Sequence, residues 1–174
     1  MSDLREGHAT TSEIPLVVPA VDDFASFYRH SYPQVARALG ITLGDWDLGA
    51  EAADEAMARC YAHWRTVRTY ENPPGWVYRV GLNWARSTHR RRQRRYPYAD
   101  RLDVEQPPVA DPQIQRALEK LDVRLRAVIV CRFYLDLSTQ ATAEALGIRL
   151  GTVKSRVSRG LERLEALLAH FRQE

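Results

Sequence analysis

Cysteine and lysine are scarce in this chain of 174 residues. The two cysteines, Cys60 and Cys131, stand far apart, with neither a Cys-x-x-Cys motif nor paired histidines, which excludes the usual zinc-binding spacings. Both fall within apolar helical patterns, so we expect buried free thiols, as suits a reducing cytoplasm. The acidic residues fit helix caps and exposed helix faces. The sequence therefore predicts neither a metal site nor a cofactor.

Long apolar runs are also missing. No segment approaches the roughly 20 apolar residues that a transmembrane helix needs. Residues 1–20 lack the basic start and apolar centre of a signal peptide, and they read as a polar, proline-interrupted, disordered tail. We therefore expect a cytoplasmic chain without membrane insertion. Its hydrophobic content of 45% is sufficient for a core.

Positive charge is unevenly distributed along the chain. The formal net charge is only +3, and the basic residues are almost all arginine. They cluster at 86–101 and 149–163, while acidic residues are commoner in the first sixty positions. Such an asymmetry indicates a polyanionic partner.

The most informative pattern lies between residues 137 and 168. Ser138 is a suitable N-cap for a short helix, Gly147 stands where a left-handed C-cap residue is wanted, and Ile148 can fill the following turn. A second helix carries an apolar stripe at Val153, Val157, Leu161, Leu164 and Leu168. Its other face carries Thr152, Lys154, Ser155, Arg156, Ser158 and Arg159. This pattern predicts a DNA-binding helix-turn-helix, although a solvated helical hairpin has the same periodicity.

The N-terminal half has the periodicity of helices. A first helix begins near Asp22, and Pro33 predicts a break near Tyr32, because an internal proline costs a helix about 3 kcal/mol. A second segment ends at Gly40, and residues 40–47 are predicted to form a loop. A long helix then runs from about Leu48 to Val67, with Asp47 as its N-cap. Its charged residues are typical of a solvated face.

The next helix, from about Pro74 to Arg94, is aromatic in its first half and basic in its second. Asn72 is a suitable cap for it. Aromatic rings beside arginines are what single-stranded nucleic acid needs, because bases stack on rings while guanidinium groups hold the phosphates. We also expect at least one of Trp76 and Trp84 to be mostly core.

The C-terminal half follows a proline-rich segment, 96–111, which reads as a flexible linker. Asp111 then caps a helix over about 112–122, and another helix covers about 123–135. The sequence therefore predicts an all-α chain of two small helical domains, 21–95 and 112–174.

Three blocks of this sequence resemble a known family. They are AEAADEAMARCYAHW (50–64), PPGWVYRVGLNWARSTHRRRQRR (73–95) and a block over 121–164 that contains GTVKSRVSRG. In this order they resemble regions 2.1–2.2, 2.3–2.4 and 4 of bacterial sigma-70-type RNA polymerase sigma factors, in the compact extracytoplasmic-function (ECF) subgroup. The short linker fits that subgroup, which lacks the domain that larger sigma factors place there.

The resemblance implies that the chain directs promoter-specific transcription initiation and assigns roles to residues. Contact with the β′ clamp helices of core polymerase falls to Asp54, Glu55 and Arg59. Recognition and melting of the −10 element fall to Trp76, Tyr78, Asn83, Trp84, Arg86, Arg90, Arg91 and Arg94. Recognition of the −35 duplex falls to Thr152, Lys154, Ser155, Arg156 and Arg159. The apolar face of region 4 would dock the β flap.

The resemblance also has implications for the partners of the chain, and three residues depart from the pattern of the family. It implies a monomer when free, and it leaves open whether an anti-sigma factor, in solution or at the membrane, holds the chain inactive. Asp54, Ser87 and Leu150 replace residues that are common in the family. With Leu150 before the GTVKSR core, we expect the recognition helix to lack a side-chain cap.

Two other functions are compatible with parts of the sequence. An autonomous helix-turn-helix regulator would use the same C-terminal domain and bind operators as a dimer, but it has no need of an aromatic and basic helix. A recombinase or nuclease would need a nucleophile with basic partners or a carboxylate cluster, and no such grouping stands out in the N-terminal half. The sequence therefore favours a binding protein that is not an enzyme.

Overall fold

The computed structural model describes residues 21–95 and 111–172, with side chains for 23–88 and 111–172. The helices are α1 (Val21–Leu43), α2 (Trp46–Ala62), α3 (Trp64–Val67), α4 (Pro73–Arg95), α5 (Pro112–Glu119), α6 (Val123–Ile129), α7 (Thr139–Leu146) and α8 (Leu150–Phe171). A π-helical turn, Val130–Tyr134, continues α6. The described ranges contain no strand, which confirms the all-α prediction. The predicted tail and the predicted linker, except Asp111, lie outside them.

The first helix is continuous, so the predicted break near Tyr32 is wrong. α1 passes through Pro33 and ends at Leu43. The proline lies on the exposed side, while Phe27 precedes it and Val35 follows it in one apolar cluster. Packing on both sides of the proline offsets its cost, because both parts of α1 are held against the same core.

The predicted loop at 40–47 is also wrong, because Gly40 lies inside a close helix crossing. A Cβ added at Gly49 would stand 2.5 Å from the Gly40 nitrogen. The two glycines therefore allow α1 and α2 to approach backbone to backbone. The turn between these helices is short. Asp45 is the N-cap of α2, and its Oδ1 accepts from the Leu48 amide at 2.9 Å. The predicted cap, Asp47, instead lies in the first turn of α2.

Two more helix boundaries differ from the predicted ones. The helix predicted over 48–67 divides at His63 into α2 and α3. The helix predicted over 123–135 changes to a π-helical turn after Ile129. The predicted caps Asn72 and Asp111 are confirmed, with Oδ1 accepting from the amides of Gly75 at 2.9 Å and Gln113 at 2.8 Å.

The N-terminal unit (residues 21–95) packs α1, α2 and α4 around a core of small and branched side chains. Ala52 and Ala56 of α2 are fully buried in the same apolar cluster as Leu39 of α1 and Val77 of α4. In the C-terminal unit (residues 111–172), α6 packs under α8, where Leu121, Val128 and Ile129 are buried. Among the described helices, none combines the length and apolar character that a membrane span requires.

The two units share a core, whereas the sequence predicts two separate helical domains joined by a flexible linker. Residues of the C-terminal unit join the apolar cluster of α1, α2 and α4; they are Val130, Cys131, Leu135, Leu137 and Ala145. Arg126 Nη1 donates to the Ile41 carbonyl at the end of α1 at 3.2 Å. Cys60 and Cys131 are buried free thiols, as predicted.

Candidate nucleic-acid interface

The helix-turn-helix forms as the sequence predicts. The Ser138 hydroxyl accepts from the Ala141 amide at 3.0 Å and caps α7. Gly147 has φ +64°, the left-handed conformation expected of a C-cap glycine. Ile148 packs in the turn against the core of the C-terminal unit. Local sequence signals therefore fix the entry, the turn and the mutual placement of α7 and α8.

The recognition helix α8 buries one face and exposes the other. Val153 is fully buried, and Gly160 lies against Ile129. Leu161, predicted to face the core, is 43% exposed. The residue at the closest approach of α8 to α6 is instead Gly160. As expected, α8 lacks a side-chain cap, but the N-cap residue is Arg149, because the helix begins at Leu150 and not after it.

The predicted −35 residues lie together on the outer face of α8. Lys154, Ser155 and Arg159 are exposed, and Thr152 and Arg156 are half-buried. The Ser155 hydroxyl donates to the Thr152 carbonyl at 3.1 Å, and Arg159 Nε donates to the Ser155 carbonyl at 3.2 Å. These bonds hold the side chains against their own helix, so cations and hydroxyls form one continuous surface of the kind that contacts phosphates and base edges.

A second polar surface follows α4. Trp76, Asn83 and Arg86 lie at helical spacing on one face, where Asn83 and Arg86 are exposed. Trp76 and Trp84 are both half-buried against the core, and each keeps part of its ring exposed. The side chains of Arg90, Arg91 and Arg94 lie outside the described ones, although their backbone continues α4.

Tyr78 does not belong to this surface and leaves the predicted DNA-binding set. Its ring is fully buried, and its hydroxyl shares a hydrogen bond of 2.7 Å with Thr42 Oγ1. Burial raises the pKa of this phenol well above 10.0. Val77, Tyr78, Leu82 and Ala85 form the inner face of α4. The error arose because an aromatic residue beside two tryptophans was placed with them, although position 78 falls on the opposite side of the helix.

The aromatic part of α4 and the start of α7 border a common groove of about 640 Å³. From the N-terminal unit it is lined by Tyr70, Trp76 and Arg79, and from the C-terminal unit by Ser138, Gln140 and Glu144. The rings of Tyr70 and Trp76 lie 6.5 Å apart, and Tyr70 is 43% exposed. The start of the helix-turn-helix therefore faces the aromatic part of α4 directly.

The predicted polymerase-binding residues lie on the outer side of α2. Asp54 and Arg59 are exposed, and Glu55 is half-buried. Arg59 Nη2 pairs with Glu55 Oε1 at 2.7 Å. The pair keeps both charges at the surface, where they are available to a partner.

Sequence reasoning missed an aromatic strip beside these charges. Phe24, Tyr28 and Tyr32 follow one another at i, i+4 and i+8 on α1, and the rings of Tyr28 and Tyr32 stack at 5.0 Å. Burial and a hydrogen bond to Asp54 raise the pKa of Tyr32 to about 12. Tyr61 of α2 is 58% exposed against Phe24. The helical spacing of the three α1 aromatics was the signal that could have found the strip.

Comparison with known proteins shows which family has a similar sequence. Residues 112–164 match the family described as Sigma-70, region 4. Over 156 residues, the chain is 33% identical to the RNA polymerase sigma-E factor of Streptomyces coelicolor, covering 84% of this chain and 87% of that protein. It is 29% identical to the ECF RNA polymerase sigma factor SigM of Mycobacterium tuberculosis, covering 85% of this chain and 78% of that protein.

A solved structure has the same fold. The sigma factor RpoE of Bartonella quintana, crystallised with the anti-sigma factor NepR, superposes with a TM-score of 0.75 at 22% identity. The match covers 86% of this chain and 98% of that one. The sequence relatives span both units, and the region 4 match contains α5, α6, α7 and most of α8. The chain belongs to the ECF RNA polymerase sigma factors.

Proposed function

We propose that this chain binds core RNA polymerase and directs it to promoters, with α8 on the −35 duplex, α4 on the −10 strand and α2 on the polymerase. The observation that carries the proposal is that one chain of the ECF family presents two separate DNA-compatible helices, α4 and α8, beside a charged surface on α2. We also propose that the chain acts by binding and not as an enzyme, and that it works in the cytoplasm, where polymerase and promoter DNA are found.

The −35 interaction follows from the outer face of α8. A helix of this diameter fits the major groove, and arginine, lysine and serine reach phosphates and base edges there. Lys154 and Arg159 are exposed and carry the charges. Each phosphate contact should contribute about −0.9 to the log–log slope of affinity against salt concentration.

The −10 interaction requires bases to leave the duplex. Opening costs about 1.4 kcal/mol per base-pair step, and a base stacked on an aromatic ring regains about 1–3 kcal/mol. Trp76 keeps part of its ring exposed, and Asn83 and Arg86 stand on the same face of α4 to receive polar edges and phosphates. The arrangement favours capture of an unstacked strand over reading of a duplex.

The polymerase interaction combines charge with aromatic surface. Asp54, Glu55 and Arg59 supply the charges, while Tyr28 and Tyr61 are exposed next to them. Aromatic residues and arginine are enriched at protein interfaces. We therefore extend the proposed polymerase surface from α2 to the outer face of α1.

Run-off transcription tests the proposal. Purified bacterial core polymerase is combined with a library of promoter fragments, with and without this chain. We expect transcripts from defined sites only when the chain is present. Absence of stimulation and of co-elution with core, together with specific operator binding by the chain alone, would replace the proposal by an autonomous regulator.

A further inference from the structure

A small cleft lies where the two units meet, away from the groove beside Trp76. It has a volume of about 330 Å³. Arginines from three different helices line it: Arg86 of α4, Arg124 of α6 and Arg156 of α8. Its remaining lining is apolar and includes Val123, Leu146 and Ile148.

The lining has charge of one sign. Among the described residues that form it, three are cationic and none is acidic. The neighbouring carboxylate, Asp122, accepts from the Arg124 amide at 2.8 Å as the cap of α6 and does not line the cleft. Like charges that converge on a concave, partly apolar surface raise its potential, and a bound anion relieves their repulsion.

The shape and chemistry of the cleft indicate which class of ligand it can bind. Guanidinium groups bind phosphate oxygens in pairs of parallel hydrogen bonds, so three arginines suit more than one phosphate group. The apolar lining suits a flat ring, and Val123 is 40% exposed. The volume lies at the lower end of the range of about 300–1,000 Å³ that is typical of small-molecule sites. A ligand of nucleotide size is therefore compatible with this volume.

We propose that the cleft formed by Arg86, Arg124 and Arg156 binds a nucleoside diphosphate, with the phosphates on the arginines and the base on Val123, Leu146 and Ile148. The ligand bridges α4, α6 and α8, so it stabilises the packing of the two units. Arg86 and Arg156 also belong to the proposed DNA surfaces. Arg124 does not, and it is therefore the residue to change.

Isothermal titration calorimetry on the full chain tests the site with ADP, GDP, pyrophosphate and orthophosphate as probes. We expect one molecule of ADP or GDP per chain and weaker binding of orthophosphate. Pyrophosphate binding as tightly as both nucleotides would overturn the role of the apolar lining. Arg124→Ala should weaken nucleotide binding by about tenfold or more, because it removes charge-assisted hydrogen bonds.

The matched control is Arg65→Ala, which removes an exposed arginine of α3 outside the cleft. It should leave the affinity unchanged. Equal losses in Arg124→Ala and Arg65→Ala would show general charge attraction and overturn the site, as would the absence of nucleotide binding by the unchanged chain. Val123→Glu, at an exposed position in the first turn of α6, places a carboxylate in the cleft and should also abolish binding.

Two further readouts locate the ligand. Amide signals of Leu146, Ile148 and Arg124 should shift on titration in nuclear magnetic resonance spectra. The melting temperature should rise with ligand concentration in the unchanged chain and in Arg65→Ala, and rise less in Arg124→Ala. Shifts confined to the far end of α8 would overturn the site. Run-off transcription is measured separately without added diphosphate, so loss of the proposed sigma activity and loss of nucleotide binding are independent results.

Discussion

Trp76 and Tyr78 stand two positions apart on α4 and differ completely in their surroundings. Trp76 is half-buried and borders the open groove, whereas Tyr78 is fully buried with its hydroxyl bonded to Thr42. On a helix, two positions apart means opposite sides, so only one of these rings can meet a base. Their substitutions should therefore separate binding from stability.

Trp76→Leu should weaken capture of the −10 strand, because leucine keeps apolar contact with the core but offers no ring face. Loss of one stack of about 1–3 kcal/mol corresponds to a roughly 5- to 150-fold loss of affinity. Fluorescence anisotropy with a labelled single strand and the polymerase complex measures the change. Tyr78→Phe is the matched control, and it should not change the affinity for the strand. Urea unfolding should show that the free energy of unfolding falls by about 1–3 kcal/mol, because the buried Thr42 hydroxyl loses its hydrogen-bond partner. A strand affinity that falls in Tyr78→Phe would contradict this assignment.

Cys131 makes the stability of the fold sensitive to alkaline pH. Burial raises the pKa of its thiol from 9.0 to about 12. Between these values the unfolded chain loses the proton and the folded chain keeps it, so the folded state binds more protons and the free energy of unfolding falls as the pH rises. The stabilising contribution is complete below about pH 9 and is lost towards about pH 12.

We expect Cys131→Ala to lose less stability than the unchanged chain over this alkaline range. Urea unfolding at a series of pH values measures the difference. Tyr78, whose pKa is also raised by burial, is present in both chains, so a reduced rather than an absent pH dependence is expected. Parallel stability curves for the two chains would refute the attribution to Cys131.

At the level of helices, the crossing of α1 and α2 depends on paired glycines. A Cβ at Gly49 would lie 2.5 Å from the nitrogen and 2.6 Å from the Cα of Gly40. Both of these atoms belong to the backbone, so the helices themselves would have to move. Gly49→Ala should destabilise the fold by about 1–3 kcal/mol, the usual cost of overpacking.

Gly151→Ala is the control for this prediction. Nothing lies within 4 Å of a Cβ added there, and the residue is exposed in the first turn of α8. Alanine favours a helix over glycine by up to about 1 kcal/mol, so this variant should be neutral or more stable. Urea unfolding measures the stability of both variants. Equal stability of Gly49→Ala and Gly151→Ala would contradict the close crossing of α1 and α2.

The helices also show what the sequence can and cannot predict. Ser138, Gly147, Asn72 and Asp111 were identified correctly as caps, because a cap bonds to amides or adopts a turn within a few residues of itself. Pro33 and Gly40 were misread as helix ends, because their local preference is outweighed by packing between helices distant in sequence. The same limit explains why Tyr78 was wrongly assigned to the DNA-binding surface. The core determines which side of α4 this residue occupies, and its aromatic neighbours in the sequence do not.

On the scale of the whole molecule, the packing of the two units is the feature with the greatest consequence for function. Val130, Leu135 and Leu137 of the C-terminal unit are buried against the N-terminal unit. The proposed function places α4 and α8 on two promoter elements, and here their units lie together across a groove and a cleft. We therefore infer that promoter binding requires the units to separate.

Arg126 is the polar anchor of this packing. Its guanidinium donates to the carbonyls of Ile41 at 3.2 Å, Glu119 at 2.9 Å and Leu121 at 3.0 Å, and the residue is 8% exposed. Burial lowers the pKa of this arginine, although nearby Glu119 and Asp122 oppose the change. Because the carbonyl of Ile41 belongs to the end of α1, this side chain ties α6 directly to the N-terminal unit.

Arg126→Met should shift the chain towards separated units, because methionine fills part of the space but leaves three carbonyls without their donor. Small-angle X-ray scattering should show a larger radius of gyration, with helix content unchanged by circular dichroism. Since a partner that needs the separated state binds more tightly when that state is more populated, affinity for promoter DNA should rise. Arg65→Met, at an exposed arginine of α3 outside the cleft, should leave both the radius and that affinity unchanged. An Arg126→Met chain that keeps the compact radius would show that apolar burial alone holds the units together. A chain that expands without a gain in affinity would show that separation is not what limits promoter binding.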